Sequence, residues 1–415
     1  MKAGFKKFAS FVWIVIALII AITFAGCSRG GGGGWGFAPG GSSGEAVGGE
    51  NSSGSQTPIV KQLTGAEWND AVNYGFWRGL FEKNISDGEQ TTRNGIFCEY
   101  AKAPRGLDTS DMHTVSVTCD GSPAVGAAVK LYDDSEVVYS AVTDSTGTAY
   151  VFGSGTRIEA VSGSVSASAD IAEVVTEISL SDVEPYADEL EIMLVVDTTG
   201  SMGDELSFLC DELAGVVTRV SSDLGCNIRL GLLFYRDKGD NYVTRKFDFT
   251  EVTSPDGLNT VVKRLKDQRS DGGGDYPEAV DTALSEAVAA DWHTESKTRL
   301  LFHVLDAPYH DKQANQSRFS SAVKSAAEKG IRIIPVAASG LDTLGQYIMR
   351  SAALLTGGTY AFLTDDSGIG NSHEIPAVGE FTVEYLSDLM VRLINGFYTG
   401  TFAEPVPWTD SESVA

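Results

Sequence analysis

The stretch that most constrains this chain is Glu191 to Asp204, EIMLVVDTTGSMGD. An apolar run from Ile192 to Val196 stops at Asp197 and gives way to Thr198, Thr199, Gly200 and Ser201. Its length and β-branched content, without polar alternation, predict a strand buried on both faces. A helical pattern begins after Ser201. The carboxylate and hydroxyls therefore fall on a loop beyond a strand's carboxyl end, where open α/β sheets bind ligands. Asp197, Thr199 and Ser201 alternate along the chain, so an extended loop lets their oxygens converge on one hard cation.

Two further stretches carry similar chemistry: Asp271 to Glu278, DGGGDYPE, and Leu305 to His310, LDAPYH. With the first, they resemble the three loops of the metal-ion-dependent adhesion site in von Willebrand factor A (vWA) domains. Thr199 stands where the usual Asp-x-Ser-x-Ser has serine. The resemblance spans residues 190–397 and implies an α/β fold: a doubly wound, mostly parallel, Rossmann-like sheet, preceded here by a small all-β sandwich. It further implies a cation site of Asp197, Thr199, Ser201, Asp275 and Asp306. Three carboxylates and two hydroxyls, without cysteine or histidine, suit one Mg²⁺, with Mn²⁺ and Ca²⁺ as alternatives, better than zinc. Better-known members carry threonine where this chain has Asp275. A direct aspartate neutralises the metal, so Asp275 is expected to bind through water or to swing away when an acidic partner group arrives.

Buried-strand candidates follow at Ile228 to Phe234, Leu300 to Leu305, Ile331 to Ala337 and Tyr360 to Leu363, with an antiparallel edge expected near Tyr242 to Phe249. Helical patterns separate them, which is the order that builds a parallel sheet. Residues 112–183 differ in character: short Val-, Thr- and Tyr-rich runs between Asp-Gly and Ser-Thr-Gly turns predict the all-β layer. Its strings resemble carboxypeptidase-regulatory-like, immunoglobulin-like modules, which imply a spacer or a stabilising partner. Residues 57–111 read as a helical or irregular segment, with Trp68, Val72, Phe76 and Leu80 at helical spacing.

At the start, Lys2, Lys6 and Lys7 precede an apolar run from Phe8 to Phe24, then Ala25, Gly26 and Cys27. This reads as a lipoprotein signal peptide over residues 1–27 with Cys27 lipidated. Phe24 stands where leucine is usual, and an uncleaved transmembrane segment is the competing reading. Either one predicts an extracytoplasmic, membrane-attached protein. Residues 28–56, rich in glycine and serine, read as a disordered tether, and residues 398–415 as a disordered tail.

The net charge of -25 argues against nucleic acid as a partner. Cys98, Cys119, Cys210 and Cys226 show no metal or redox spacing, and only Cys98 with Cys119 is left as a candidate pair. Asp237 and Asp240 read as a charged turn, with Arg236 a candidate partner for them. His310 reads as a loop histidine facing solvent or backbone, and His303 as a core or strand-edge residue.

No nucleophile with a paired base stands out. The expectation is therefore a surface protein, not an enzyme, which binds a protein or surface polymer through a cation completed by the partner's acidic group. A metal-dependent hydrolase or its assembly factor, and a structural envelope protein with a loop-stabilising metal, are the alternatives.

Overall fold

The computed structural model describes residues 62–409, apart from 84, 87–91, 94 and 370. The expected signal peptide, lipidated Cys27 and tether lie outside the described residues.

In chain order the elements are β1 (Thr64–Trp68), α1 (Tyr74–Gly79), β2 (Ile85–Ser86), β3 (Thr92–Arg93), β4 (Met112–Cys119), β5 (Ser122–Pro123), β6 (Ala128–Asp133), β7 (Glu136–Val142), β8 (Thr148–Phe152), β9 (Arg157–Ser162), β10 (Val165–Asp170), β11 (Val175–Leu180) and β12 (Ala187–Asp197). A 3₁₀ turn, Gly200–Asp204, leads to α2 (Leu206–Asp223), β13 (Asn227–Tyr235), β14 (Thr244–Glu251), α3 (Pro255–Lys266), α4 (Val280–Val288), β15 (Ser296–Leu305) and α5 (Gln313–Glu328). The last elements are β16 (Ile331–Ala337), α6 (Thr343–Thr356), β17 (Tyr360–Thr364), β18 (Glu384–Tyr385) and α7 (Leu386–Thr399).

The fold class expected from the sequence, a doubly wound, mostly parallel sheet, is corrected by the observed pairing. The principal sheet is mixed, with strand order β14-β13-β12-β15-β16-β17-β1-β18. Its central pairs are parallel, but β14 runs antiparallel to β13, and β1 runs antiparallel to both β17 and β18. Strands outnumber α-helices eighteen to seven among the described residues. The protein is β-rich, with two further four-stranded sheets between β4 and β11.

Much of the difference comes from the segment read as helical. Residues 64–68 form a strand, Thr64 pairing with Thr364 and Trp68 with Tyr360, and only a short helix follows at α1. Apolar spacing alone does not separate a short strand from one helical turn. Sequence reading also passed over α3, although Ser254 accepts a hydrogen bond from Gly257 N–H and Pro255 opens the helix, both ordinary start signals.

Alternate residues of β12 enter different cores. Met193 and Val195 pack in the core shared by α4, α5, α6 and the β4–β11 sheets, whereas Ile192, Leu194 and Val196 pack with α2 and α7. The β4–β11 layer is tied to this assembly: Tyr139 hydroxyl donates to Leu355 carbonyl, and Ser145 Oγ to Phe397 carbonyl at 2.7 Å. The chain after α7 also keeps contacts, with Trp408 N–H donating to Val383 carbonyl at 2.7 Å, so the tail expected from residue 398 is corrected up to residue 409. Among the described residues no helix is long and apolar enough to cross a membrane. All four described cysteines are free thiols, which removes the Cys98–Cys119 candidate pair.

One buried ion pair holds the first strand's exit to α6. Arg350 is fully buried and grips Asp70 with two bonds, Nε to Oδ2 at 2.9 Å and Nη2 to Oδ1 at 2.6 Å. Burial raises the Asp70 carboxyl above its ordinary range and the Arg350 contact counters that shift. Removing one partner of such a pair leaves an uncompensated buried charge. We expect Arg350→Met to lower unfolding free energy by about 3–5 kcal/mol, read as a shift in urea midpoint. A loss below about 1 kcal/mol would show that water reaches Asp70.

Candidate functional site

The carboxyl ends of β12 and β15 bring Asp197 and Asp306 together, both buried. Asp197 Oδ1 accepts from Thr199 N–H at 2.8 Å and from Thr199 Oγ1 at 2.7 Å. Thr199 Oγ1 lies 3.2 Å from Ser201 Oγ. The first loop therefore gathers its carboxylate and both hydroxyls, with Ser201 in the 3₁₀ turn and not on the extended chain that the alternation assumed. Thr198, between them, turns inward, its hydroxyl donating to Tyr235 carbonyl at 2.8 Å.

The Asp271 to Glu278 loop is stitched to this first loop. Gly200 N–H donates to Gly272 carbonyl, and Asp271 N–H to Thr198 carbonyl, each at 3.2 Å. Gly272 and Gly273 both have positive φ, and a Cβ on Gly272 would stand 2.4–2.5 Å from the Asp240 carboxylate. Only glycine allows both the turn and the close approach. Arg236, almost fully buried, adds a side-chain stitch: Nε donates to Thr198 carbonyl at 3.1 Å and Nη2 to Arg269 carbonyl at 2.9 Å. It pairs with Asp271, at 3.4 Å, and not with Asp237 or Asp240 as the sequence suggested.

The structure does not place Asp275 with the buried carboxylates. Its side chain is 65% exposed, and its Oδ2 lies 3.9 Å from His310 Nδ1. His310 corrects the expectation of a solvent or backbone contact: its Nε2 lies 2.9 Å from Asp237 Oδ1. Asp237, Asp275 and His310 form a group able to hold a metal ion.

Sequence reasoning missed Glu278. It lies two residues before α4, only 3% exposed, with its N–H donating to Pro308 carbonyl at 2.9 Å and its Oε2 meeting no hydrogen-bond partner. Burial first, then the nearby Asp197, Asp237, Asp306 and Asp240 carboxylates, push its pKa up to about 9. Asp197 is raised too, by burial and then by Asp306, with the Thr199 bonds opposing. Its Oδ2 also lacks a hydrogen bond of good geometry, although the Tyr235 hydroxyl offsets a small part of the shift. An available signal for Glu278 was an acidic residue directly after Pro277, at the approach to α4.

A second acidic group, Glu189, Glu191 and His293, lies towards the amino end of β12. There every carboxylate oxygen is met. Glu189 binds His293, Ser296 and Asn227, and Glu191 binds Arg229, His293 N–H and Ser296. A satisfied network of this kind holds strands together without a metal. The structure thus contains acidic and histidine groups that can take a metal ion, and the unmet carboxylate oxygens stand at the carboxyl end of the sheet.

No family model matches the chain. It is similar, at 30% identity over 137 residues, to an ariadne-like RING finger protein of Acanthamoeba polyphaga mimivirus, an alignment covering 33% of this chain and 13% of that protein. Among solved structures, the pilus adhesin SpaC of Lactobacillus rhamnosus GG aligns at a TM-score of 0.36 and 12% identity, covering 65% of this chain and 35% of that one. The chain thus spans well under half of either protein, and a likeness this low carries no functional argument.

Glu278 has a folded pKa above its ordinary 4.5, so between that value and about 9 the native state holds a proton that the unfolded chain has released. The Glu278 contribution to stability is then fullest below about 4.5 and is lost as pH rises through about 9. In chelator we expect the urea midpoint to drop across this window. Glu278→Gln should remove part of the slope, and excess Mg²⁺ or Ca²⁺ should flatten it. A flat wild-type profile in chelator would contradict the assignment.

Proposed function

We propose that this chain is a divalent-cation-dependent binding protein, not an enzyme. Asp197, Thr199, Ser201 and Asp306 hold the ion, Glu278 joins them, and an acidic group of a macromolecular partner completes the coordination. The observation that carries the reading is two buried carboxylate oxygens without a hydrogen bond of good geometry, Asp197 Oδ2 and Glu278 Oε2, beside two hydroxyls. A buried carboxylate is tolerated when it is paired, bound to metal or protonated, and two oxygens of this kind side by side favour a cation. Oxygen donors of this kind favour Mg²⁺, with Mn²⁺ and Ca²⁺ as alternatives. The vWA resemblance of the three loops supports the same reading. The proposed setting is the outer face of a membrane, with lipid on Cys27 and a protein or surface polymer as partner.

Asp275 is the exposed carboxylate at the rim, and in this account it gives way to the partner's acid. A metal-dependent hydrolase is the second reading, favoured by one observation: His310 held by Asp237 resembles an oriented proton acceptor. It ranks behind because the unmet carboxylate oxygens lie on Asp197 and Glu278 and not on that pair.

The test is a pull-down from native envelope material with full-length protein in Mg²⁺ and in chelator. Capture should depend on cation, be lost in Asp197→Ala, and strengthen by roughly tenfold, about 1.4 kcal/mol, in Asp275→Thr. Capture that survives chelator would overturn the reading, and weaker capture by metal-loaded Asp275→Thr would overturn the role given to Asp275.

A further inference from the structure

Behind the acidic site lies a buried pair that is not among its oxygen donors. Tyr235 and His303 are both fully buried. The strand register places them: Tyr235 of β13 is the cross-strand partner of Asp197, and His303 of β15 is that of Val195. Side chains alternate along a strand, so Val195 and Asp197 share a face of the sheet, and their partners project from it with them. Val195, Leu233, Leu301 and Leu305 surround the pair on that face, in the core under α4 and α5. The two rings meet edge to face with centroids 5.5 Å apart, and His303 Nε2 lies 3.3 Å from the Tyr235 hydroxyl.

The protons of this pair can be placed. Burial first, then Asp197, Asp306 and Glu278, hold the Tyr235 phenol well above its ordinary range, so the hydroxyl keeps its hydrogen. It lies against the Asp197 carboxylate, and its contact lowers that group. An ionised carboxylate can only accept. Burial pushes the His303 imidazole down to about 3, so the ring is neutral and carries one N–H, and its Nδ1 meets no partner. With the hydrogen on Nδ1, a buried N–H would lack an acceptor, and the Tyr235 hydrogen would be drawn from Asp197 to Nε2. With the hydrogen on Nε2, it meets the Tyr235 oxygen, and the hydroxyl remains available to Asp197. The second arrangement makes two hydrogen bonds and the first makes one, and buried donors are rarely left unmet.

We propose that Tyr235 and His303 are positioning residues for the cation: neutral His303 donates from Nε2–H to the Tyr235 oxygen, and Tyr235 donates to Asp197, holding that carboxylate toward the ion. The proposal rests on the cation reading above and adds to it the groups behind the ligand. Partners in this position orient a ligand, and their loss weakens metal binding by about 10–100-fold. A neutral chain also suits the site, since an imidazolium behind Asp197 would repel the ion.

The experiment has two parts. Nitrogen-15 spectra of the full chain labelled at histidine, in chelator at neutral pH, report the tautomer, with His303→Gln identifying its signals among the five histidines. Hydrogen on Nε2 is expected, and hydrogen on Nδ1 or an imidazolium would overturn the proposal. Calorimetric titration with Mg²⁺ then compares the wild type with Tyr235→Phe, His303→Leu, His303→Gln and the double variant Tyr235→Phe with His303→Leu. Melting temperatures in chelator accompany each. Tyr235→Phe should weaken binding by about tenfold and His303→Leu by a smaller factor. His303→Gln keeps an N–H donor and should recover most of that smaller loss. The double variant should bind no more weakly than Tyr235→Phe, because His303 acts through Tyr235. Lower melting temperatures with unchanged affinity in both single variants would mean a structural role alone and overturn the proposal, as would additive losses in the double variant. No Mg²⁺ uptake by the wild type would overturn the cation reading and this proposal with it, whereas uptake shared equally by the wild type and both single variants would overturn this proposal alone.

Discussion

Carboxylates withdrawn from water repel one another, and the ends of β12 and β15 together with the approach to α4 gather several of them. Asp197, Asp306 and Glu278 are each less than a twentieth exposed, and Asp237 is only slightly more so. Their mutual repulsion and the loss of hydration raise Asp197 and Glu278 well above the usual carboxylate range. Such a cluster is relieved by protons or by a cation. Protons leave carbonyl-like acceptors and single donors that need partners, whereas a hard cation uses oxygens from several directions at once. The loops around this cluster hold its carboxylates at one end of the sheet.

That framework is built from backbone as much as from side chains. The glycines at 272 and 273 let the second loop lie against the first, and Arg236 reaches carbonyls of both. Tyr276 extends the set, donating to Gly340 carbonyl while accepting from Asp342 N–H, both at 2.8 Å. Three segments distant in sequence thus share one bonded rim. The mixed sheet beneath them is extended at its far side by β1, whose exit is held by the buried Asp70–Arg350 pair. Stability of the platform and position of the loops are therefore linked through α6, which carries Arg350 and begins just after Asp342.

The first loop was legible because its information is local: an apolar run, an abrupt aspartate and alternating hydroxyls need no distant partner to be read. Asp306 was legible for the same reason at the end of β15. Glu278 was not, since its burial comes from the contact with Pro308, thirty residues further along the chain. The exposed setting of Asp275 depends on positive backbone angles at the neighbouring glycines, which composition does not fix. The sheet was misjudged for a long-range reason too. Nothing in TGAEW signals pairing with residues 360–364, and that pairing, with β18, adds a second antiparallel side to the edge expected at β14. Arg350 reads as one charge on an apolar helix until Asp70 is placed beside it.

The measurement that tests the account most directly is calorimetric titration of the folded chain with Mg²⁺, Mn²⁺ and Ca²⁺, beside Asp197→Ala and Glu278→Gln. The account predicts one cation bound by the wild type, none by folded Asp197→Ala, and at least about tenfold weaker binding by Glu278→Gln. A folded wild type that takes up no cation, or an Asp197→Ala variant that binds as tightly as the wild type, would contradict it.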